Sequence, residues 1–164
     1  MSLHLKICGQ SLIDSVETTR ISHQISIGDS NQKGLDSFRL ASLPEHHQLC
    51  LSFRDRKTRQ RKGAPTKQQV LPLFTWLAAH EDMSGLLVHC GAGMSRSPAV
   101  ALLTLCFLFP CEDPFEQMFL VERCSEYDSI WPNPLVVELG DEIMQRKGEI
   151  IAGVERWRRM KEPD

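Results

Sequence analysis

The chain has 164 residues, of which 41% are hydrophobic and 24% charged, and its formal net charge is −2 at pH 7. These values are typical of a soluble globular protein, so residues 1–164 are interpreted as a single domain. The small net charge excludes a molecule-wide basic field, and nucleic acid is therefore not expected as a partner. The longest apolar segment, Pro98–Phe109, is too short to cross a bilayer, so no membrane span is expected.

The six cysteines are interpreted as free thiols. No two of them have C-x-x-C spacing, and the amino-terminal residues lack the basic end and long apolar run of a signal peptide. Reduced thiols and a cytoplasmic location are therefore expected. The six histidines do not flank the cysteines in the spacing of zinc ligands, so no metal site is predicted.

The predicted elements alternate between strands and helices along the chain. Strands are predicted at Leu3–Ile7, Ile21–Ile27, Leu49–Phe53 and Gly85–His89. Helices are predicted near Ser11–Thr19, after Thr66, at Pro98–Phe109, near Asp113–Cys124, at Pro134–Arg146 and at Glu149–Met160. The order predicts an α/β fold, with a central, mostly parallel sheet of about four to five strands, flanking helices and a helical carboxyl-terminal part.

Three local patterns refine this expectation. Gly85–His89 is a continuous apolar run, typical of a strand that is buried on both faces. Thr66 followed three positions later by Gln69 indicates a capping box. Pro72 lies inside the helical pattern that follows, so that helix is predicted either to kink or to start late.

A basic segment, Arg54–Lys62, carries six basic residues in nine positions. Most such runs are solvated surface, which is one interpretation of this segment. The other is a rim that attracts polyanionic substrates.

The stretch LLVHCGAGMSRSPA, residues 86–99, connects the predicted buried strand to a predicted helix. Gly91 and Gly93 permit positive φ, so backbone N–H groups of the loop can turn inward and form an anion cradle at the helix N-terminus. Cys90 is the first residue of this cradle, and the positive potential there favours its nucleophilic thiolate form. Arg96 offers a planar fork that can hold two oxygens of a phosphate.

Two neighbours of these residues have supporting roles in this interpretation. Ser97 could donate a hydrogen bond to the sulfur when the thiolate leaves, and His89 would order the loop rather than act as a base. The structural alternative is an inert buried Cys90 with Arg96 on the surface. The joint spacing of the four residues, between a buried strand and a helix, favours the functional interpretation.

The segment HCGAGMSRS resembles the signature of the cysteine-dependent protein tyrosine phosphatases, and its AGxSRS part is most similar to the dual-specificity branch. The rest of the chain is similar to predicted bacterial tyrosine phosphatases of that branch. The matching segments are LSFRD (Leu51–Asp55), APTKQQV (Ala64–Val70), the Cys90 loop and WPNPLVVELGDEI (Trp131–Ile143). The resemblance spans roughly Ile21 to Ile151.

This resemblance implies a two-step reaction in which the Cys90 thiolate attacks phosphorus and water then hydrolyses the cysteinyl-phosphate. It implies Arg96 as the transition-state clamp, and no metal or organic cofactor. The backbone N–H groups that would hold the equatorial oxygens belong to Gly91, Ala92, Gly93, Met94, Ser95 and Arg96. Asn133 matches the family's Pro-Asn pair as a polar support beside the loop, although it could equally be a simple helix N-cap.

The reaction also needs a carboxylic acid to protonate the leaving oxygen. The family supplies it from a loop some thirty residues before the cysteine, and Asp55 lies 35 residues before Cys90, directly after a predicted strand. Asp82, Asp29 and Asp36 remain alternatives.

The expected substrate is a phosphorylated protein. Phosphoinositide-directed relatives tend to carry lysines in the loop, where this chain has Ala92 and Met94. The Arg54–Lys62 run instead favours a polyanion such as a phosphoinositide or an RNA 5′-phosphate. A non-catalytic phosphate-binding relative and a rhodanese-like persulfide carrier are alternatives from other functional classes.

Overall fold

The computed structural model describes residues 2–163. The strands are β1 (His4–Gly9), β2 (His23–Gly28), β3 (Gln48–Ser52) and β4 (Gly85–Cys90). The helices are α1 (Lys67–Ala78), α2 (Arg96–Leu108), α3 (Pro114–Cys124), α4 (Pro134–Ile143) and α5 (Glu149–Lys161). Short 3₁₀ turns occupy Gln10–Leu12, Leu35–Phe38 and Glu45–His47.

The four strands form one parallel sheet in the order β1-β4-β2-β3, which confirms the predicted α/β class and strand number. Because all strands run the same way, their carboxyl ends meet at one edge of the sheet. Gly9 is the register partner of Cys90, and Gly28 is the partner of Ser52. The loops that follow β2, β3 and β4 therefore start side by side, the arrangement in which open α/β sheets place their sites.

The two faces of the sheet are covered differently. Leu86 and Val88 of β4 belong to the large core cluster that the five helices build, whereas Leu87 belongs to a smaller cluster on the other face. This alternation follows from the two-residue period of a strand. The smaller cluster is closed by residues of loops and 3₁₀ turns, including Ile13 and Leu43, so among residues 2–163 no α-helix contributes to the covering of this face.

The predicted helix at Ser11–Thr19 is wrong. Only Gln10–Leu12 forms a 3₁₀ turn, and the N–H groups of Ile13 and Ser15 donate to carbonyls three residues earlier. The serines and Asp14 have side chains that compete for backbone hydrogen bonds, which favours turns over a continuous helix. Packing of Ile13 onto the sheet then determines the path of the chain.

The helical part agrees more closely with the sequence analysis. Thr66 and Gln69 form the predicted capping box of α1, and the helix continues through Pro72, which lies on its exposed face. Helix α4 ends at Ile143 instead of Arg146, because Gln145 and Lys147 both adopt φ of 55° and leave the helical conformation. Within residues 2–163, no helix is both long and apolar enough to cross a membrane.

Candidate active site

The Cys90 loop joins the carboxyl end of β4 to the first residue of α2. The Sγ of Cys90 is nearly buried and accepts a hydrogen bond of 3.1 Å from the backbone N–H of Gly93. Gly93 has φ of 79°, and a Cβ at this position would lie 2.4 Å from backbone atoms of Cys8 and Gly9. Gly91 does not adopt positive φ, so of the two predicted loop glycines only Gly93 uses that freedom.

The end of β1 supports this loop from the side. The backbone N–H of Gln10 donates to the carbonyl of Gly91 at 3.1 Å. A Cβ at Gly9 would lie 2.8 Å from the carbonyl oxygen of Ala92 and 2.7 Å from the hydroxyl of Tyr127. Gly9 is therefore required for the close approach of strand and loop, a role that sequence reasoning did not assign.

Arg96 is fixed at the start of α2 with its guanidinium directed across the loop. Its Nη1 donates to Asp29 Oδ1 and to the carbonyl of Phe53, each at 2.9 Å. Its Nη2 lies 3.6 Å from the position that a Cβ of Gly91 would take. Within residues 2–163, Nε and Nη2 donate no hydrogen bond to protein, so these two groups can bind oxygens of an anion.

Asp55 lies three residues after β3 and is tied to the loop. Its Oδ1 accepts 2.7 Å hydrogen bonds from Ser95 Oγ and from Asn133 Nδ2. In the described part of the chain, Oδ2 accepts none and remains available for a proton.

Asn133 connects three parts of the site. Its side-chain amide donates to Asp55 and to the carbonyl of Arg56, while its Oδ1 caps the first turn of α4. Its backbone N–H donates to the carbonyl of Ser95 at 3.1 Å. Asn133 is thus both an N-cap and a support beside the loop, and the two interpretations that the sequence left open are compatible.

The carboxylates reach different places. Asp29, Asp55 and Arg96 line one open cleft, together with Arg54 and Arg56. Asp82 precedes β4 and lies at the opposite edge of the sheet. Asp29 follows β2 directly, and its ion pair with Arg96 was missed from the sequence. The signal was its position at a strand's carboxyl end, which resembles that of Asp55.

The buried neighbours of the loop are polar. His89 Nε2 lies 2.6 Å from Ser26 Oγ, and burial lowers the pKa of His89 to about 4, so the imidazole is neutral at pH 7. The Nδ1 of His89 has no hydrogen-bond partner among the described residues, so this ring makes no hydrogen bond to the loop and its expected ordering role stays a prediction. Ser97 Oγ is buried without a hydrogen-bond partner among the described residues, so the expected bond to the Cys90 sulfur is not formed in this state.

The basic residues of the Arg54–Lys62 run do not all face the cleft. Arg54 and Arg56 line the cleft, whereas Arg59 pairs with Glu138 at 2.8 Å and Glu142 at 3.4 Å on α4. The basic rim of the cleft is therefore narrower than the sequence run.

No protein-family model and no curated protein sequence matches the chain. Solved structures do resemble it. The Cydia Pomonella PTP-2 phosphatase is 22% identical with a TM-score of 0.58, over 83% of each chain. Human DUSP28 is 15% identical with a TM-score of 0.58, over 87% of this chain and 94% of the other. PTPMT1 in complex with PI(5)P is 17% identical with a TM-score of 0.52, over 88% and 94%.

The chain therefore has the fold of the cysteine-dependent protein tyrosine phosphatases, in its dual-specificity-like form. The resemblance inferred from HCGAGMSRS is confirmed at the level of the fold. These structures give no support to a particular closeness to bacterial tyrosine phosphatases, which stays a prediction.

Proposed function

We propose that this chain is a phosphomonoester hydrolase that works through a cysteinyl-phosphate intermediate and acts on phosphorylated proteins. The observation that carries the proposal is the convergence of Cys90, Arg96 and Asp55 on one sheet edge. Cys90 Sγ faces a backbone N–H of its own loop, Arg96 has two unused donors, and Asp55 has one unused oxygen. A nucleophile, an oxyanion clamp and an acid are the three groups that the reaction needs.

In the first step, the Cys90 thiolate forms a bond to phosphorus as the bond from phosphorus to the leaving oxygen breaks. Asp55 transfers its proton to that oxygen, so an alcohol or phenol departs. The loop N–H groups and Arg96 hold the three equatorial oxygens, whose charge they neutralise without a metal ion.

In the second step, water attacks phosphorus and the sulfur–phosphorus bond breaks. Asp55, now ionised, accepts the proton of the water, and Cys90 leaves as a thiolate. Ser97 Oγ is the candidate donor to the departing sulfur, because it is buried at the start of α2 and has no other partner among the described residues. The products are inorganic phosphate and the unchanged enzyme.

A phosphorylated protein is favoured as the substrate by the apolar side chains beside the loop. Met94 is 43% exposed and Trp131 is 44% exposed, and the backbone N–H of Trp131 donates to the carbonyl of Met94 at 2.8 Å. Exposed apolar side chains suit the body of a phosphopeptide better than an inositol ring, whose hydroxyls need polar partners.

The second candidate is a phosphatase of a non-protein polyanion. Arg54 and Arg56 in the cleft favour it, as does the likeness of the fold to PTPMT1, whose structure contains PI(5)P. Comparing kcat/KM for a phosphotyrosine peptide and for a soluble phosphoinositide, at matched ionic strength, distinguishes the two candidates.

Cys90→Ser tests the proposal. We expect it to abolish hydrolysis of p-nitrophenyl phosphate in the presence of EDTA, while vanadate binding and the fold are retained. The matched control is Cys50→Ser, because Cys50 is an exposed cysteine on β3 and should leave turnover unchanged. Turnover by Cys90→Ser at the rate of the parent would contradict the proposed cysteinyl-phosphate mechanism. A non-catalytic phosphate-binding protein would instead bind vanadate without turnover in the parent itself.

A further inference from the structure

Three histidines that are far apart in the sequence meet at the sheet edge opposite Cys90. His23 is the first residue of β2, His47 ends the Glu45–His47 turn, and His80 follows α1 by two residues. One potential ligand atom from each lies within 4.8 Å of the other two. The ring centroids are 4.2 Å apart for His23 and His47, and 5.0 Å for His23 and His80.

The Nδ1 atoms of these rings are already engaged. His47 Nδ1 lies 3.0 Å from the carbonyl of Ser22, and His80 Nδ1 lies 2.8 Å from the carbonyl of Trp76. Because a carbonyl only accepts, each of these nitrogens must carry a proton, so Nε2 is the nitrogen of each ring that can bind an ion. A backbone carbonyl on the other ring nitrogen is one of the usual partners of a metal-binding histidine, beside a carboxylate or water.

His23 supplies the second observation. It is 1% exposed, its Nδ1 lies 2.9 Å from Ser22 Oγ, and its Nε2 has no hydrogen-bond partner among residues 2–163. A buried polar nitrogen without a partner is costly and calls for an explanation.

We infer that His23, His47 and His80 form a site for a divalent transition-metal ion of the zinc type. Imidazole nitrogens suit zinc, and three of them leave a fourth position for water. His47 also lines an open cleft formed with Ser22 and Leu43, which gives the ion and the water a path from solvent.

Binding requires one adjustment. The rings of His23 and His47 are stacked with an interplanar angle of 12°, so one ring must turn for both to direct a nitrogen at the same ion. His47 is half-buried beside the open cleft and is the ring that can turn, and this turn changes the 3.0 Å contact between its Nδ1 and the Ser22 carbonyl. Two further groups face the site: exposed His46, whose ring centroid is 4.5 Å from that of His47, and Asp82, whose charge acts on His23.

The ion would act as a clamp and not in phosphate hydrolysis. His23 is the register partner of Leu86, and Cys90 lies four residues further along β4, about 13 Å at ~3.3 Å per residue. The ion would join the start of β2, the Glu45–His47 turn and the segment after α1. Its effect is therefore expected on stability, independently of whether the proposed phosphatase activity exists.

Zinc binding tests the inference directly. The Cys90→Ser protein is used throughout, so that the active-site thiolate does not bind the ion. After removal of metal with a chelator, titration calorimetry with Zn²⁺ should give one site per chain. Substituting Co²⁺ should give the visible bands of a tetrahedral nitrogen and oxygen site. Zn²⁺ should also raise the thermal midpoint, because an ion that binds only the folded state stabilises it.

Matched variants locate the ligands. His47→Gln and His80→Gln should each weaken Zn²⁺ binding at least about tenfold and remove the thermal shift. His46→Gln should bind like its parent, because His46 lies outside the group of three. The absence of Zn²⁺ binding, equal binding by all three variants, or an intense sulfur-to-cobalt charge-transfer band in the Co²⁺ spectrum would overturn the inference. The Co²⁺ spectrum of the parent does not depend on whether the variants fold.

Discussion

The orientation of the Arg96 guanidinium is fixed by two contacts within the protein. Asp29 and the Phe53 carbonyl hold Nη1, so the plane of the guanidinium is set by the protein. A lysine keeps the positive charge but lacks the planar guanidinium. Its single ammonium group cannot bond Asp29, the Phe53 carbonyl and the phosphate in the same geometry.

Arg96→Lys is therefore expected to lower kcat for p-nitrophenyl phosphate by about 10²–10³, the usual effect of losing one preorganised oxyanion donor. The control is Arg54→Lys, which changes a cleft residue of the same type and should cost far less. Steady-state kinetics at one pH decides the matter. If Arg96→Lys keeps more than about a tenth of the activity, the clamp role is wrong.

The two cleft aspartates are expected to differ in their chemistry. Asp55 has a free Oδ2 and would protonate the leaving oxygen, so Asp55→Asn should slow phosphotyrosine hydrolysis strongly. An aryl phosphate with a very good leaving group should be affected much less, because its oxygen needs no proton. The alkaline limb of the pH–rate profile should also disappear.

Asp29→Asn is the matched comparison. Because Asp29 is bonded to Arg96 Nη1, its loss should lower the rate by a similar factor for all leaving groups and leave the shape of the pH profile intact. The opposite pattern, with leaving-group dependence at Asp29 and none at Asp55, would exchange the two roles.

At the scale of elements, residues 131–133 join the phosphate loop to α4. Trp131 and Asn133 donate backbone hydrogen bonds to Met94 and Ser95, and the Asn133 side chain reaches Asp55 while capping α4. One residue therefore couples the end of a helix to the position of the acid.

Asn133→Ala should reduce stability and change catalysis. Loss of the cap costs about 1 kcal/mol in urea unfolding. Loss of the Asp55 contact should slow phosphotyrosine hydrolysis more than that of an activated aryl phosphate. Asp113→Ala separates the effects, because Asp113 also caps a helix, α3, with its side chain but lies outside the cleft. Equal kinetics in the two variants would mean that Asn133 is only a cap.

Much of the fold follows from local sequence patterns, whereas contacts between elements do not. Alternating or continuous apolar patterns predicted the four strands to within two residues at either end, and the Thr66 capping box marked the start of α1. The Asn133 contact with Asp55 spans 78 positions, and the Arg96 contact with Asp29 spans 67. Such contacts depend on the strand order, which no single segment encodes.

The loop itself was the most predictable part of the candidate site, because its spacing is local. Cys90, Gly93 and Arg96 lie within seven positions, and a strand followed by a helix fixes their arrangement. The histidine group at the other edge gave no such signal, since its members come from positions 23, 47 and 80. Spacing rules for zinc ligands apply to short segments and do not detect a group of histidines that only the tertiary fold brings together.

Over the whole molecule, the sheet carries a buried imidazole on β4. His89 is fully buried, and this burial lowers its pKa to about 4 from the 6.5 of an exposed ring. The unfolded chain therefore binds a proton at a higher pH than the folded chain does, and stability falls as the pH drops from about 6.5 towards 4. His23, whose pKa is lowered in the same direction, adds to this effect.

Urea unfolding at pH 7.5 and pH 5.5, with chelator present, measures this dependence. We expect the free energy of unfolding to fall by about 1 kcal/mol from His89 alone over this interval, since at pH 5.5 only the unfolded state carries that proton. His89→Gln keeps a nitrogen that can reach Ser26 but cannot titrate, so it should lose this part of the dependence. His46 is exposed, so His46→Gln should keep the pH dependence of its parent. If His89→Gln loses as much stability between the two pH values as its parent, the buried imidazole is not a source of the pH dependence.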